Sequence, residues 1–325
     1  MVFMNIPILK TMKKIPGGMM VLPLLLGTLL NSTVPQVLEL GGFSSALLKT
    51  GLNAFVALFF VCSGAQIRLN QAVLPIAKGT ALLISKFIVG AALGILVTRI
   101  WGLNGLLGIS PLAIISAVTN SSGTLYVSLA SEFGDNSDVA AIGPLCINDS
   151  PFVTMMVFGA AGLADIPLTE LFAAILPLII GMILGNIDED LRDLLSSGTA
   201  VIIPFVAFCL GANLRFQSLF QAGFSGILLG LITMITTGIA GYYTMALFNK
   251  GKPKAVGAAI GSSAGIAAAT PVYLGQIDPS LLPYVDQAVA TVTASTILTA
   301  ILLPFFVAFL DKLDKNREKK QEVKL

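Results

Sequence analysis

Long apolar segments separated by short polar loops dominate the chain and predict ten membrane-spanning helices. Most are close to, or longer than, the ~20 residues needed to cross ~30 Å of hydrocarbon at 1.5 Å rise per residue. The predicted spans, in chain order, are residues 15–31, 46–66, 72–98, 106–130, 138–162, 168–187, 197–214, 220–248, 255–275 and 281–311. Because the connections are short and no soluble domain is inserted, we predict an all-α polytopic membrane protein.

Two of these spans, the fourth and the ninth, carry a polar patch in their middle. The fourth is interrupted near Asn120–Gly123 and the ninth near Ser262–Gly265. Unwound backbone persists in a membrane only where it lines protein or a cavity. Two such breaks at matching places in two halves are typical of a transporter's binding site. The alternative, that small residues merely allow close helix packing, explains Asn120 and the clustered hydroxyl groups poorly.

The exposed ends of the half-helices supply the chemistry expected of this site. Helix N-termini carry partial positive charge and free N–H groups, which suit a carboxylate. Hydroxyl and amide side chains around the breaks suit the hydroxyl groups of a polyol chain. The predicted substrate-binding residues are Thr119, Asn120, Ser121, Ser122, Gly123, Ser262, Ser263, Gly265 and Thr270.

Sequence motifs recur between the two halves of the chain. The segment Leu22-Pro23-Leu24-Leu25-Leu26-Gly27 returns as Leu176-Pro177-Leu178-Ile179-Ile180-Gly181, and Cys62-Ser63-Gly64-Ala65-Gln66-Ile67-Arg68 returns as Cys209-Leu210-Gly211-Ala212-Asn213-Leu214-Arg215. Chance similarity of apolar sequence is the alternative explanation. Five spans per half is an odd number, so the halves must have opposite orientations. We therefore predict two inverted five-helix repeats, residues 1–163 and 164–325.

Composition and charge place the chain in a membrane and orient it. Apolar residues make up 55% and charged residues 11% of the chain, with a mean hydropathy of +0.90, whereas soluble domains carry roughly 25% charge. With the N-terminus inside, the inner loops and tails hold most of the 19 Lys and Arg residues. The positive-inside rule therefore predicts cytoplasmic termini. We expect the basic tail to face membrane lipid rather than nucleic acid, and Glu132, Asp135 and Asp138 to be solvated loop residues.

The scarcity of reactive residue types excludes several classes of protein. The absence of His removes most metal sites, serine-type triads and histidine proton relays. The odd number of cysteines, all in apolar segments, fits neither a disulfide framework nor a zinc site. An intramembrane aspartyl protease needs a second facing aspartate, and a channel needs a repeated filter or a charged ring. We predict no metal, no cofactor and no enzymatic activity.

Two ionisable residues, Asp149 and Lys86, are predicted to lie deep inside their spans, where charge is costly and usually functional. Burial favours the protonated form of a carboxyl group, which is what a proton carrier needs. We predict that Asp149, the adjacent Asn148 and Lys86 take part in proton coupling. A structural ion pair between Lys86 and Asp149 is the alternative, and the two roles are compatible.

Five motifs are distinctive in combination and spread over nearly the whole chain. They are Lys14-Ile15-Pro16-Gly17-Gly18-Met19-Met20, Thr119-Asn120 with Gly123-x-Leu125-Tyr126, Leu184-Gly185-Asn186, Ile203-Pro204-Phe205, and Ser262-Ser263-Ala264-Gly265 with Ala269-Thr270-Pro271-Val272. Together they resemble the bacterial 2-keto-3-deoxygluconate permease family. The resemblance implies a proton-coupled importer of this sugar-acid anion, a product of pectin breakdown, in the inner membrane.

The paired broken helices are also similar to those of the bile-acid sodium symporter and sodium/proton antiporter folds. This likeness implies that helices 4 and 9 cross at their unwound centres, between a panel (spans 1, 2, 6 and 7) and a core (spans 3–5 and 8–10). The pair Asn148-Asp149 is similar to the Asn-Asp or Asp-Asp pair of the antiporters. We therefore expect a secondary symporter that works by alternating access. Sodium coupling in the same fold is the alternative to proton coupling.

Overall fold

The computed structural model describes residues 7–14, 18–70, 73–214, 216 and 222–322. These parts of the chain are helical, with no β-strand beyond an isolated bridge between Leu106 and Ile109. The α-helices are α1 (Ile8–Lys14), α2 (Gly18–Thr33), α3 (Gly42–Ser45), α4 (Leu52–Gly64), α5 (Val73–Trp101), α6 (Pro111–Thr119), α7 (Gly123–Phe133), α8 (Asn136–Ala140), α9 (Ile142–Leu145), α10 (Phe152–Ala160), α11 (Leu168–Ile187), α12 (Glu189–Gly211), α13 (Gly223–Thr244), α14 (Thr270–Ile277) and α15 (Leu282–Glu322). A π-helical turn spans Ala46–Thr50, and short 3₁₀ helices span Pro35–Glu39, Gly102–Asn104, Cys146–Asp149, Met245–Leu247, Ala255–Gly261, Gly265–Ala269 and Pro279–Leu281.

The length and hydropathy of these helices agree with a membrane protein. In the described ranges, 6 helices are long and apolar enough to cross a bilayer, or up to 9 when each bent helix pair is taken as one span. A shorter apolar helix covers Val21–Thr33 and overlaps most of the first predicted span. The all-helical membrane class predicted from the sequence is therefore confirmed, whereas the number ten stays a prediction.

The helices pack in two groups. One group, called here the four-helix layer, consists of α2, α4, α11 and α12, which contact one another. The other group is built around α5, α6, α13, α15 and the 3₁₀ helix Ala255–Gly261. The segment Ala255–Ile277 is the most enclosed of the candidate spans, with 89% of its most apolar window buried. The second group therefore surrounds the broken helix that the polar pattern singles out.

The repeated motifs meet each other inside the four-helix layer. A Cβ atom added at Gly211 of α12 would overlap the carbonyl oxygen of Leu24 in α2, and one added at Gly64 of α4 would overlap that of Leu178 in α11. Leu24 and Leu178 occupy the same place in the first repeated motif, and Gly64 and Gly211 the same place in the second. The recurring glycines are thus explained by two equivalent close contacts between helix backbones.

Two asparagines fasten the ends of the same helix pairs. Asn31 of α2 donates from Nδ2 to the carbonyl oxygen of Leu214 at 3.0 Å, and Asn186 of α11 donates to that of Ile67 at 2.7 Å. Ile67 and Leu214 are counterparts in the repeated motif. The following position of that motif, Arg215, lies outside the described residues.

The ninth predicted span takes a tighter form than an α-helix over its first part. Residues Ala255–Gly261 form a 3₁₀ helix that packs on α13. A Cβ atom at either Gly241 or Gly257 would overlap the carbonyl oxygen of the other residue. The Gly- and Ala-rich sequence therefore allows backbone to lie directly on backbone.

The acidic residues between α7 and α9 correct an expectation from the sequence. Asp138 is fully buried and bridges two lysines, with Oδ1 2.5 Å from Lys78 Nζ and Oδ2 2.5 Å from Lys254 Nζ. Asp135 caps α8 and also contacts Lys254, at 2.9 Å. Of the predicted solvated residues, only Glu132 and Asp135 are exposed. Asp138 was misassigned because its partners lie far away in sequence.

Candidate functional site at the crossing of two broken helices

The first break lies at residues 120–122, between α6 and α7, where the helix axis bends by 44°. Asn120 ends α6 with an extended backbone (φ −104°, ψ 149°). Ser122 caps α7, and its Oγ accepts a hydrogen bond from the N–H of Leu125 at 3.4 Å. The hydroxyl replaces a main-chain partner that the interrupted helix lacks. The Ser-Ser-Gly sequence therefore starts a new helix here.

The second break lies at residues 262–264, between the 3₁₀ helices Ala255–Gly261 and Gly265–Ala269. Two threonines of α15 form hydrogen bonds with backbone groups that this break leaves without helical partners. Thr299 Oγ1 accepts from the N–H of Ser263 at 3.1 Å, and Thr296 donates to the carbonyl oxygen of Ala264 at 3.1 Å. The tenth predicted span thus supports the broken ninth one.

The two breaks touch each other. The backbone N–H of Ser122 donates to Ser262 Oγ at 2.9 Å. Ser262 is fully buried, whereas Ser122 is partly exposed. The contact brings the N-terminus of α7 onto the start of the second break, which is the crossing that the paired polar patches predict.

A large cavity lies beside this crossing. Its volume is about 820 Å³, and it separates α2, α4 and α12 from the breaks and α15. The breaks contribute Ser122, Gly123, Ser263 and Gly265 to its wall; Ser63, Gln66 and Thr199 face them from the four-helix layer; Thr293 and Thr296 come from α15. None of the described residues that line it is charged. An anion in this cavity would therefore meet hydroxyls, amides and helix N-termini rather than a cationic side chain.

A small cavity lies on the opposite side of the crossing. It has a volume of about 80 Å³, and its lining includes Asn53 and Phe60 of α4 together with Thr270 and Tyr273. Helix α4 passes both cavities, because Ser63 near its other end lines the large one. The space between the two helix groups is therefore wide at one end and narrow at the other.

Polar side chains join the two helix groups at the narrow end. Asn53 of α4 donates to Gln276 Oε1 at 3.1 Å, and the hydroxyl of Tyr273 donates to Glu170 Oε2 of α11 at 3.2 Å. Gln276 and Tyr273 both belong to α14, which follows the second break. These contacts hold α14 against the four-helix layer.

Amide and hydroxyl groups surround the C-terminal end of α6. Thr119 Oγ1 lies 2.7 Å from Thr154 Oγ1, and Asn120 Nδ2 donates to the same hydroxyl at 3.4 Å. Asn148 Nδ2 donates to Ser121 Oγ at 3.4 Å. The Oδ1 atoms of Asn120 and Asn148 are buried without a partner in the described part of the chain. Two buried side-chain oxygen atoms at the first break therefore lack a hydrogen-bond donor among the described residues.

Lys86 lies under the second break. Its side chain is fully buried in α5, and Nζ lies 2.6 Å from the carbonyl oxygen of Ile260 and 2.7 Å from that of Ser262. Removing an ammonium group from water is costly unless charge-assisted hydrogen bonds replace the lost hydration. The two carbonyl groups at the end of the 3₁₀ helix supply such bonds.

The structure divides the predicted site residues into three sets. Ser122, Gly123, Ser263 and Gly265 line the large cavity; Thr119, Asn120, Ser121 and Ser262 are buried in contacts within the crossing; Thr270 lines the small cavity. Of the residues predicted for proton coupling, Asn148 reaches the first break and Lys86 the second. The side chain of Asp149 lies outside the described part of the chain, and its backbone belongs to the 3₁₀ helix Cys146–Asp149. A role in substrate binding or coupling stays a prediction for all of them.

Several polar residues of the cavity wall were not selected from the sequence. Thr293 and Thr296 lie three positions apart on α15, whereas Ser63 belongs to α4 and Gln66 to the turn that follows it. Spacing of three or four places two side chains on one helix face. A polar pair at that spacing in an apolar span is the sequence signal for such a wall, but only the packing shows which faces meet.

The whole chain matches known proteins by fold and by sequence. The structure is similar to that of the sodium proton antiporter MjNhaP1 from Methanocaldococcus jannaschii, with a TM-score of 0.60 at 13% identity over 94% of both chains. At that identity the likeness shows the fold alone. The comparison agrees with the antiporter-like fold expected from the broken helices.

Sequence relatives give the family. A profile of the 2-keto-3-deoxygluconate permease family matches residues 9–316. The chain is 42% identical to 2-keto-3-deoxygluconate permease 1 of Salmonella typhimurium over 93% of this chain and 95% of that protein, and 36% identical to the 2-keto-3-deoxygluconate permease of Bacillus subtilis over 95% of both. These relatives are named as permeases, not as enzymes. With its apolar helices, the chain is therefore a multi-pass membrane protein that belongs to the 2-keto-3-deoxygluconate permease family.

Proposed function

We propose that this protein is a secondary transporter that imports 2-keto-3-deoxygluconate across the bacterial inner membrane together with protons. The observation that carries the proposal is the cavity of about 820 Å³ into which both helix breaks open. Ligand sites for small molecules occupy roughly 300–1,000 Å³. A six-carbon sugar acid therefore fits, and the permease names of the relatives support this substrate.

The substrate carboxylate binds, in this proposal, between the N-termini that follow the two breaks. Ser122 and Gly123 begin α7, and Ala264 and Gly265 begin the helical segment after the second break. Partial positive charge and backbone N–H groups at such ends favour an anion. The hydroxyl groups of the sugar chain then bond to the hydroxyl and amide side chains along the rest of the wall.

Alternating access is supported by the unequal ends of the crossing. The large cavity reaches Met12, Gln66 and Thr199, which fall at the cytoplasmic side in the predicted topology. The opposite end is nearly closed and is fastened by the contacts of α14. In this proposal the four-helix layer is the panel, the second group is the core, and the structure is the inward-facing form. The paired contacts of the repeated motifs support an arrangement of two inverted five-helix repeats, with both termini in the cytoplasm.

Proton coupling is assigned to Asp149 in this proposal. It follows Asn148, whose amide contacts the first break. A buried carboxyl group binds a proton more readily than an exposed one, because burial disfavours its charged form. Protonation from outside and release inside would link the movement of the core to the proton gradient.

Sodium coupling is the second candidate, and one observation favours it. The unpartnered Oδ1 atoms of Asn120 and Asn148 lie among the hydroxyl groups of Ser121 and Thr154. Hard cations bind oxygen ligands of this kind. The same fold would then carry the sugar acid with an alkali cation instead of a proton.

Uptake of labelled 2-keto-3-deoxygluconate into proteoliposomes tests both candidates. Proton and sodium gradients are imposed separately, with a valinomycin-clamped potential in each case. Accumulation driven by the proton gradient alone supports proton symport, and accumulation driven by sodium alone supports the alternative. If neither gradient drives uptake by protein that is shown to be inserted and folded, the proposed function is refuted.

A further inference from the structure

The two breaks differ in the groups that donate to the carbonyl oxygens at the end of the preceding helical segment. Carbonyl groups at a helix C-terminus lack intrahelical partners and carry partial negative charge. After α6, a neutral group covers one of them: Asn120 Nδ2 donates to the carbonyl oxygen of Ser116 at 2.9 Å. After Ala255–Gly261, the ammonium group of Lys86 covers them.

The geometry around Lys86 is that of a bound cation. Its Nζ contacts two carbonyl oxygens at 2.6 and 2.7 Å, and no part of the side chain reaches solvent. Thr237 of α13 also directs its hydroxyl toward the carbonyl of Ile260, at 3.5 Å. In transporters with discontinuous helices, such unwound carbonyl groups and half-helix C-termini coordinate the coupling ion.

Ser262 connects this cation to the substrate cavity. Its carbonyl oxygen accepts from Lys86, and its Oγ accepts from the backbone N–H of Ser122. Ser122 in turn caps the helix whose N-terminus lines the large cavity. A cation at this position therefore orients the second break against the first without contacting the substrate.

We propose that the second break contains a monovalent-cation site that the ammonium group of Lys86 occupies permanently. Lys86 is thus a positioning residue that takes the place of a free alkali cation. Whichever ion drives uptake, this end of the crossing needs none from solution. Shortening the lysine removes the resident cation and leaves a site of matching charge and size for an added one.

Two substitutions that remove the same charge separate this proposal from a packing role. Lys86→Ala leaves space where the side chain was, whereas Lys86→Met fills most of that space with an apolar chain. Thermal unfolding of the purified full-length protein is measured without substrate, in sodium, potassium, n-propylammonium and, as a bulky control cation, choline chloride. We expect both variants to unfold several degrees below the unchanged protein, and sodium, potassium or n-propylammonium, but not choline, to restore Lys86→Ala alone.

Two results would overturn the proposal. One is a Lys86→Met protein as stable as the unchanged protein; the other is a Lys86→Ala protein that responds to the added cations no more than Lys86→Met does. If Lys86→Ala does not accumulate in membranes, Lys86→Arg and Lys86→Gln decide instead, since only the first keeps a cation. Equal stability of these two would also refute it. Because the measurement needs no substrate, its outcome is independent of whether the proposed transport function is correct.

Discussion

The backbone N–H of Ser122 donates a hydrogen bond of 2.9 Å to the Oγ of Ser262, across the crossing of the two broken helices. The residues are far apart in the chain, and each belongs to a polar patch that would be unfavourable in a lipid-facing helix. Their contact shows that the second break supplies a partner for backbone that the first break releases. The crossing is therefore both a candidate binding site and a structural joint.

Loss of the hydrogen bond between Ser122 and Ser262 is expected to weaken transport. Ser262→Ala leaves the N–H of Ser122 without its partner, which costs ~1–3 kcal/mol when the group stays shielded from water. We expect at least a fivefold loss in the initial rate of uptake at low substrate concentration, corresponding to the lower limit of that range. The control is Ser116→Ala, because Ser116 Oγ is buried without a partner in the described structure. An unaltered rate in Ser262→Ala would contradict a role for the contact.

Substitution of Asp149 is expected to uncouple transport from the proton gradient. Asp149→Asn keeps the shape of the side chain but removes its ability to bind and release a proton. Proton-driven accumulation should disappear, while exchange of labelled for unlabelled substrate continues. Asp286→Asn serves as the control, since Asp286 is an exposed residue of α15. Full accumulation by Asp149→Asn would remove this residue from the coupling mechanism.

Weakening the narrow end of the crossing should favour the outward-facing form. Tyr273→Phe removes the hydrogen bond to Glu170, and a neutral or charge-assisted hydrogen bond contributes ~0.5–3 kcal/mol. We expect an Ala174→Cys reporter, at a buried position in the wall of the small cavity, to react with a membrane-impermeant maleimide at least twice as fast in intact cells when Tyr273→Phe is present. Glu39→Gln is the matched control, because its partner Lys49 belongs to the same loop and helix group. Equal labelling with and without Tyr273→Phe would show that the contact does not hold this end closed.

The close helix contacts of the four-helix layer predict a strong positional effect of added methyl groups. Gly211→Ala places a Cβ atom against the carbonyl oxygen of Leu24, so the helices must separate. Overpacking of this kind costs ~1–3 kcal/mol. Thermal unfolding of the purified protein should show a clear loss of stability. Gly223→Ala should cause none, because no other group lies within 4 Å of the added atom.

The buried ion cluster of Asp138, Lys78 and Lys254 predicts a large loss of stability from a conservative substitution. Asp138→Asn removes the charge that compensates Lys78 and Lys254, and breaking a buried ion pair costs ~3–5 kcal/mol. We expect this variant to unfold well below the unchanged protein. Glu132→Gln, which alters an exposed acid of the same segment, should be indistinguishable from it. Equal stability of the two variants would show that the cluster contributes little.

The pH dependence of that stability provides a second readout. Burial opposes ionisation of Asp135, but hydrogen bonds from Ser137 and Lys254 outweigh it and lower the pKa of Asp135. Burial likewise opposes the charge of Lys254, yet Asp138 and Asp135 together raise the pKa of Lys254. The stabilisation from Asp135 is therefore present above its ordinary pKa of about 4 and is lost as the pH falls further. That from Lys254 is present below about pH 10 and is lost at higher pH. We expect a plateau between these limits, and a smaller fall at high pH in Asp138→Asn, because that variant lacks one of the two carboxylates that raise the pKa of Lys254.

The all-helical membrane class and the positions of both breaks could be predicted from the sequence, whereas the number of spans stays a prediction. These follow from local patterns, because apolar length and polar interruptions decide what a segment does in lipid. The recurring motifs predicted an internal repeat, but not that α2 would pair with α12 and α4 with α11. Asp138 shows the limit of this reasoning: a carboxyl group in a polar stretch looks solvated until partners from distant helices are placed beside it.

The packing of distant helices sets which polar residues face the cavity and which hold the crossing together. Asn120 and Ser262 belong to the same patches as Gly123 and Gly265, yet their side chains bond within the protein. The partners of Lys86 could not be predicted from the sequence, because they are backbone carbonyl oxygens, which every residue type has. Packing between distant segments determines where the helix is interrupted, and therefore which backbone carbonyl groups are free to bind Lys86.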